Sequence, residues 1–348
     1  MSTWFDESRL DDERVLAAAD VVLRALAESG ARVRRERAEA GEALAAAVQR
    51  AHDGARPRAV VAAGPDSRLL RAVLEPWCPV PFVAWPGPGL PGWVGSLDLV
   101  VMLAPEGHDA GSAFAVAEAT RRGAQVVVAC PPDSLVAEHA AGRWTTVLPV
   151  HTGDQLAAAV VVLDYLERVQ LGPRADAEEL ADALDAVAGA CSPFRDLAVN
   201  PAKMLAIALA ETSPVVWGGS VLAARAARRV AESIRRASGT SAIAGDAEHL
   251  MPVLEAARPR DLFDDPVADG EGAAERRPLL LILDDGSTEA LQVEQRDRLA
   301  GTAAARGIRV ETMTCQEDGG WTEVSRYASL VLQGRYAAAY LRIGLIEE

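Results

Sequence analysis

A glycine pair followed by a serine, Gly218-Gly219-Ser220, is the stretch of this sequence best suited to hold a phosphate. It follows an apolar run and precedes a helical pattern, which predicts a strand-to-helix turn. Backbone N–H groups, a hydroxyl and the positive end of a helix dipole together favour a dianion. A glycine pair also serves where tight turning and close helix packing leave no room for side chains. Both interpretations of this turn stay open at the level of sequence.

The cysteines and histidines form no pattern typical of metal sites or disulfides. Four cysteines lie far apart, and none of the five histidines is placed with another at ligand spacing on one helix. We therefore expect reduced thiols and no metal. Neither half carries a glycine-rich fingerprint with a downstream ribose-binding acid, which argues against a dinucleotide. The sequence predicts no cofactor.

The charge pattern argues against a nucleic-acid or membrane partner. The formal net charge is -15, whereas nucleic acids and anionic membranes attract clustered Lys and Arg. Arginines here stand beside acids, as in Arg34-Arg35-Glu36-Arg37, and we interpret such stretches as solvated helix faces.

The first ten residues lack the pattern of an export signal, and no apolar run has the ~18 residues of a membrane span. We predict a cytoplasmic protein.

The first half of the chain alternates apolar runs with helical patterns. A helical pattern begins at Asp11 and stops at Gly30, and a second reaches about Arg50, which predicts a helical hairpin packed on the following domain. Apolar strands alternating with amphipathic helices indicate a parallel sheet covered on both faces, a doubly wound domain. The runs of strand length are 59–63, 80–84, 97–103, 124–129 and 145–150.

The second half repeats this scheme after connecting helices. Strands are predicted at 214–217, 241–244, 279–283 and 308–312, helices at 202–209, 221–237, 247–256 and 288–305, and a terminal helix from Gly334. An Asp-, Gly- and Ala-rich stretch from Arg258 to Arg277 is interpreted as a mobile surface loop. The predicted segments are a hairpin (1–50), a first domain (51–152), connecting helices (153–199) and a second domain (200–348).

Four local strings follow one another along the chain: Leu90-Pro91-Gly92-Trp93-Val94, Asn200-Pro201-Ala202-Lys203, Pro214-Val215-Val216-Trp217-Gly218 and Gly334-Arg335-Tyr336-Ala337-Ala338-Ala339-Tyr340-Leu341. Together they resemble the bifunctional phosphoglucose/phosphomannose isomerases of the sugar isomerase (SIS) superfamily. The resemblance implies an α/β protein of two tandem SIS domains, each a doubly wound, flavodoxin-like parallel sheet flanked by helices. It also implies a homodimer with active sites near the subunit interface, and no metal or redox cofactor.

The resemblance also implies two catalytic residues. The family places a glutamate in the helix after the second domain's first strand, and a histidine at a fixed distance beyond it. Glu232 stands at the glutamate's place as the base that moves a proton between C1 and C2, and His249, one residue beyond the expected spacing, would assist ring opening. Glu232 is equally placed to be a surface acid paired with nearby arginines, and His249 to be an exposed residue near a helix start.

The substrate-anchoring turns depart from the family's pattern. In the first turn, 63–67, Gly64 and Ser67 keep the phosphate-binding chemistry, whereas Pro65 removes a donor and Asp66 adds negative charge. The second turn, 104–109, has carboxylates at Glu106 and Asp109 and no hydroxyl. A carboxylate about 5 Å from a phosphate charge costs roughly 3 kcal/mol at an effective dielectric near 20, unless the loop turns it outward. The family's arginine after the first domain's last strand and its carboxyl-terminal lysine are also missing.

Two functions follow from these residues. One is aldose-ketose isomerisation of mannose 6-phosphate or glucose 6-phosphate to fructose 6-phosphate, an intramolecular oxidoreduction with Glu232 and His249 as catalytic residues. Its sugar phosphate would be held by Gly64, Ser67 and the Gly218-Gly219-Ser220 turn. The alternative is a non-catalytic SIS protein that binds or senses a sugar phosphate, or that partners an enzyme of sugar activation. The altered turns favour the second, and the retained Glu232 favours the first.

Overall fold

The computed structural model describes residues 3–52, 54–257, 276–315 and 320–347. The loop predicted at 258–277 lies outside these residues except for its last two positions. The strands are β1 Thr3–Phe5, β2 Val60–Ala63, β3 Phe82–Trp85, β4 Leu99–Leu103, β5 Gln125–Cys130, β6 Thr145–Pro149, β7 Ser213–Gly218, β8 Ile243–Ala244, β9 Pro278–Asp284, β10 Arg309–Thr314 and β11 Leu345–Glu347. The helices are α1 Glu13–Ala18, α2 Asp20–Ala27, α3 Ser29–Glu39, α4 Gly41–His52, α5 Ser67–Leu74, α6 Ala110–Arg121, α7 Leu135–His139, α8 Gln155–Arg168, α9 Ala177–Ala190, α10 Pro201–Leu209, α11 Val221–Ser238, α12 Ala247–Glu255, α13 Ala290–Ala305 and α14 Glu323–Gly344.

Contacts within the chain divide it into two compact units. The first unit is Ser29–Asp182, and the second unit joins Met1–Glu28 to Ala183–Glu348. The segment boundaries predicted at 50, 152 and 199 stay a prediction.

The first unit is built on a five-stranded parallel sheet in the order β3-β2-β4-β5-β6. Counted along the chain, this is the 2-1-3-4-5 order of flavodoxin-like doubly wound sheets. Every residue of β2 and β4 is buried, as expected of strands covered on both faces. Helices α3 and α4, which form the second arm of the predicted hairpin, both pack on α8 in this unit, whereas α1 and α2 of the first arm belong to the second unit. The break before α3 falls at Glu28, because Gly30 continues the helix instead of ending it.

The second unit contains a four-stranded parallel sheet in the order β10-β9-β7-β8. Counted from β7, the order is 4-3-1-2, so β7 and β9 are central and their carboxyl ends meet at one edge. A short antiparallel pair of β1 and β11 joins the two ends of the chain. The prediction of two doubly wound α/β domains is thus confirmed. None of the helices within the described residues is long and apolar enough to cross a membrane.

Candidate functional site

Glu232, on α11, lies between two arginines of the same helix. Its Oε2 accepts a hydrogen bond from Arg229 Nη1 at 2.8 Å, and its Oε1 lies 2.6 Å from Arg236 Nη2. The side chain keeps 29% of its surface exposed. Glu232 is therefore a partly accessible carboxylate with each oxygen paired to one arginine.

His249, on α12, is largely exposed. Its Nδ1 lies 3.9 Å from one carboxylate oxygen of Asp246, and 82% of its side-chain surface is open. The other oxygen of Asp246 lies 3.9 Å from Arg228, which is one helical turn before Glu232 on α11. This chain of contacts links His249 to the helix face that carries Glu232. Within the described residues, no hydrogen bond or ion pair joins Glu232 to His249 directly.

Close packing accounts for the glycine pair after β7. A Cβ added to Gly218 would lie 2.4 Å from the backbone carbonyl of Ala223, in the first turn of α11. A Cβ added to Gly219 would lie 2.9 Å from the Trp217 ring. Real Cβ atoms do not approach this closely, so any larger residue would push the turn away from the helix. Of the two interpretations of this pair, the structure supports the one based on packing.

The Ser220 hydroxyl is engaged twice by the protein. It accepts a hydrogen bond from Ala223 N at 3.0 Å, as the amino-terminal cap of α11, and donates to a carboxylate oxygen of Asp285. Asp284, beside it at the end of β9, lies 3.5 Å from Arg296. These acids line a cavity of about 20 Å³ at the carboxyl ends of β7 and β9, which has room for about one water molecule. The turn predicted to bind phosphate therefore faces a carboxylate.

In the first unit, the turn after β2 meets the start of α6. Gly64 has a φ of +87°, and a Cβ on it would lie 3.3 Å from the Ser112 hydroxyl. Ser67, the first residue of α5, is 1% exposed, and its buried hydroxyl has no hydrogen-bond partner. The predicted binding residues Gly64 and Ser67 therefore lie at one place, together with Ser112, at the carboxyl ends of β2 and β4.

The carboxylates predicted to oppose a phosphate in the first unit take three different positions. Glu106 points outward, with 71% of its side-chain surface exposed, and pairs with His108 at 3.4 Å. Asp66 accepts a hydrogen bond from the Gln155 side chain. Asp109 turns back onto its own helix, where it accepts from the third N–H of α6 at 2.7 Å. Only the Glu106 side chain points away from the two turns. The carboxylates of Asp66 and Asp109 remain in the turns next to Gly64 and Ser67.

Glu36 is a buried acid that the charge pattern did not reveal. The charged stretch around it predicts a solvated helix face, but Glu36 is 1% exposed. Its carboxylate accepts hydrogen bonds from the His151 N–H at 2.8 and 2.9 Å and from the Thr152 N–H, just after β6. An acid of α3 thus occupies backbone donors just after the carboxyl end of β6. The contact spans more than one hundred residues, so local sequence carried no signal for it.

Three of the four cysteines are buried thiols poorly suited to act as nucleophiles. Burial raises the pKa of Cys130 to about 11 and the pKa of Cys191 and Cys315 to about 12. A buried thiol with such a pKa stays protonated at neutral pH, and the thiolate is the reactive form. Among the described residues, His, Cys, Asp and Glu form no group of three that could hold a metal ion.

Comparisons with known proteins agree with the fold. Residues 198–344 match the family model of the bacterial phospho-glucose isomerase C-terminal SIS domain. Tagatose-6-phosphate ketose/aldose isomerase from Escherichia coli is 11% identical, with a TM-score of 0.67 over 93% of this chain and 92% of that chain. The C-terminal domain of glucosamine-fructose-6-phosphate aminotransferase from Francisella tularensis is 10% identical, with a TM-score of 0.64 over 92% and 95%. No curated protein sequence matched. The α/β fold of two parallel sheets is shared with these structures, and the resemblance to bacterial phosphoglucose isomerases is confirmed for residues 198–344.

Proposed function

We propose that this protein is an SIS-type sugar-phosphate isomerase that converts glucose 6-phosphate or mannose 6-phosphate to fructose 6-phosphate. The observation that carries the proposal is the match of residues 198–344 to the C-terminal SIS domain of bacterial phospho-glucose isomerases. That range includes both Glu232 and His249. The phosphosugar isomerase among the structural neighbours adds support at the level of fold.

In the proposed reaction, His249 assists opening of the sugar ring by transferring a proton at the ring oxygen. Glu232 then removes the proton from C2, which leaves an enediolate, and returns a proton to C1. The hydroxyl proton moves from O2 to O1, so that the carbonyl passes from C1 to C2 and no redox cofactor takes part. Arg229 and Arg236, which bind the Glu232 carboxylate, would place positive charge beside the developing enediolate.

A coupled assay for interconversion of the three hexose 6-phosphates tests this proposal. We expect the wild type to turn over without added metal, and Glu232→Gln to lower kcat by about 10²–10⁴-fold, the usual contribution of a general base. The free energy of unfolding should change by less than about 1 kcal/mol, because partly exposed ion pairs contribute little. Glu75→Gln is the matched control, since Glu75 also pairs with an arginine of its own helix, and should keep full activity. An inactive wild type, or an active Glu232→Gln, would contradict the proposal.

A non-catalytic SIS protein that binds or senses a sugar phosphate, or partners an enzyme of sugar activation, is the second candidate. Two observations favour it: His249 makes no direct contact with Glu232, and acids of the protein stand at both predicted phosphate turns. Thermal stabilisation by a hexose 6-phosphate without turnover would select this candidate. Under either function we propose a cytoplasmic protein that forms a homodimer, and light scattering on the purified protein would test the dimer.

A further inference from the structure

The adjacent strands β2 and β4 end at one site in the first unit. The two strands pair in parallel, with Ala63 opposite Met102, so α5 and α6 begin side by side beyond them. Ligands of doubly wound sheets bind in the crevice outside such strand ends. The close approach of Gly64 to the Ser112 hydroxyl shows that the first turn of α6 reaches the turn before α5.

The amino terminus of α6 already carries an anion. Asp109 Oδ2 lies 2.7 Å from Ser112 N. Hydrogen bonds from the Ser112 side chain and backbone hold the pKa of Asp109 below its usual range, so this carboxylate is charged at neutral pH. The charge occupies the place that a phosphate would take at a helix amino terminus.

The amino terminus of α5 differs from that of α6. Asp66, at its cap position, makes no hydrogen bond to the N–H groups of the helix and accepts one from Gln155 instead. Ser67 follows with a buried hydroxyl that has no partner. Arg68, exposed on the first turn, is a cation at this helix end. Carboxylates accept hydrogen bonds and a serine hydroxyl both donates and accepts, which together match the hydroxyl groups of a sugar.

We propose that Asp109 is a specificity-determining residue: it excludes a phosphate from the amino terminus of α6, so that the site at the ends of β2 and β4 takes an uncharged, hydroxyl-bearing end of a sugar. The inference rests on the proposed function only in taking a sugar derivative as the ligand. A phosphate on that sugar would have to lie elsewhere.

The Asp109→Asn variant tests this role, because asparagine caps a helix as well as aspartate does but carries no charge. Calorimetric titrations would use glucose 6-phosphate and unphosphorylated glucose as probes. We expect Asp109→Asn to bind glucose 6-phosphate roughly tenfold or more tightly than the wild type, since a nearby like charge is removed. The affinity for glucose should stay the same within about twofold. Asp12→Asn is the matched control, because Asp12 caps α1 by accepting from Arg14 N and Val15 N, and it should bind like the wild type.

Failure of Asp109→Asn to gain affinity for glucose 6-phosphate would overturn the proposal. The same result would follow if Arg68 already gave the wild type a high affinity for the phosphate, because removing the Asp109 charge would then not raise the affinity for glucose 6-phosphate. An equal gain for glucose would also overturn it, because the effect would then not concern the phosphate. The affinity ratio between variant and wild type does not depend on turnover. An inactive wild type would therefore contradict the proposed isomerase activity. The comparison of affinities between Asp109→Asn and the wild type would still test the role of Asp109.

Discussion

Lys203 is a fully buried lysine, and three oxygens surround its ammonium. Nζ lies 2.5 Å from Asp11 Oδ1 and donates to the backbone carbonyls of Pro193 and Arg195 at 3.0 and 2.9 Å. The Tyr340 ring centroid lies 5.6 Å away. A charge taken out of water is tolerated only when such partners replace its hydration. Asp11 is the one charged member of this set.

Replacing Asp11 with Asn should therefore lower the free energy of unfolding. Breaking a fully buried pair costs about 3–5 kcal/mol, but Asp11 is 45% exposed, so we expect about 1–3 kcal/mol in urea denaturation. The hydrogen bond from Lys203 lowers the pKa of Asp11. The pair's contribution is thus present above the ordinary carboxyl pKa of 3.8 and is lost as pH falls through the lowered pKa of the folded state.

The free energy of unfolding of the wild type should accordingly exceed that of Asp11→Asn by a constant amount near neutral pH. Below about pH 4 this difference should decrease towards zero. Asp20→Asn provides the control, since Asp20 pairs with Arg24 on an exposed helix face and should cost less than about 0.5 kcal/mol. Equal losses in the two variants would show that the Lys203 ammonium does not depend on Asp11.

At the scale of elements, the contact between α11 and α14 depends on Gly334. A Cβ added to Gly334 would lie 2.3 Å from Val230 Cγ2. Alanine favours a helix over glycine by about 1 kcal/mol, but overpacking a core costs about 1–3 kcal/mol. We expect Gly334→Ala to lower the free energy of unfolding by roughly 1–2 kcal/mol, measured by urea denaturation.

Gly301→Ala is the matched control, because it also lies inside a helix, α13, and nothing stands within 4 Å of its added Cβ. This variant should raise the free energy of unfolding by about 0.5–1 kcal/mol, since only helix propensity changes. Opposite signs for the two substitutions would establish that α11 and α14 pack through the glycine. Stabilisation by both would refute that close contact.

Buried strands could be predicted from the sequence, whereas a helix buried on every side could be predicted only in part. Strand β4 was predicted at 97–103 because five consecutive apolar residues are typical of a strand covered on both faces. Helix α14 was predicted only from Gly334, although it begins at Glu323. Most of its residues are buried on every side, so it lacks the one-sided periodicity that indicates a surface helix. Its cap, Thr322, which accepts from Ser325 N at 3.3 Å, was the available signal.

The candidate site was predictable in position but not in its contacts. Gly64 and Ser67 follow β2, and strand ends of a parallel sheet meet at one edge, so their proximity followed from the fold. The pairing of Ser220 with Asp285 and of Glu36 with the backbone after β6 joins residues far apart in sequence. Such contacts depend on how the strands are ordered in the sheet. The strings that carried the resemblance include packing residues such as Gly334, so they report the fold more directly than the chemistry.

At the scale of the whole molecule, the second unit is made of two separate stretches of chain. Strand β1 pairs with β11, with Thr3 opposite Glu347, and α2 packs against α14. Asp11 also comes from the amino-terminal stretch, and it holds the buried Lys203. Residues 1–28 are therefore structural parts of the unit whose sheet is formed by the carboxyl-terminal half.

A fragment that begins at Ala177, which keeps α9 whole, and runs to the end of the chain should consequently fold poorly on its own. It would leave the Lys203 ammonium without its carboxylate and β11 without its partner. Because the two chain ends pair in an antiparallel ladder, a linker of a few glycines and serines should suffice to attach residues 1–28 after residue 348. We expect this permuted fragment to show a cooperative unfolding transition and a dispersed amide NMR spectrum, whereas the unlinked fragment shows neither. If the fragment without residues 1–28 is as stable as the permuted one, the amino-terminal stretch is dispensable, and the carboxyl-terminal half matched by the SIS model is a complete domain by itself.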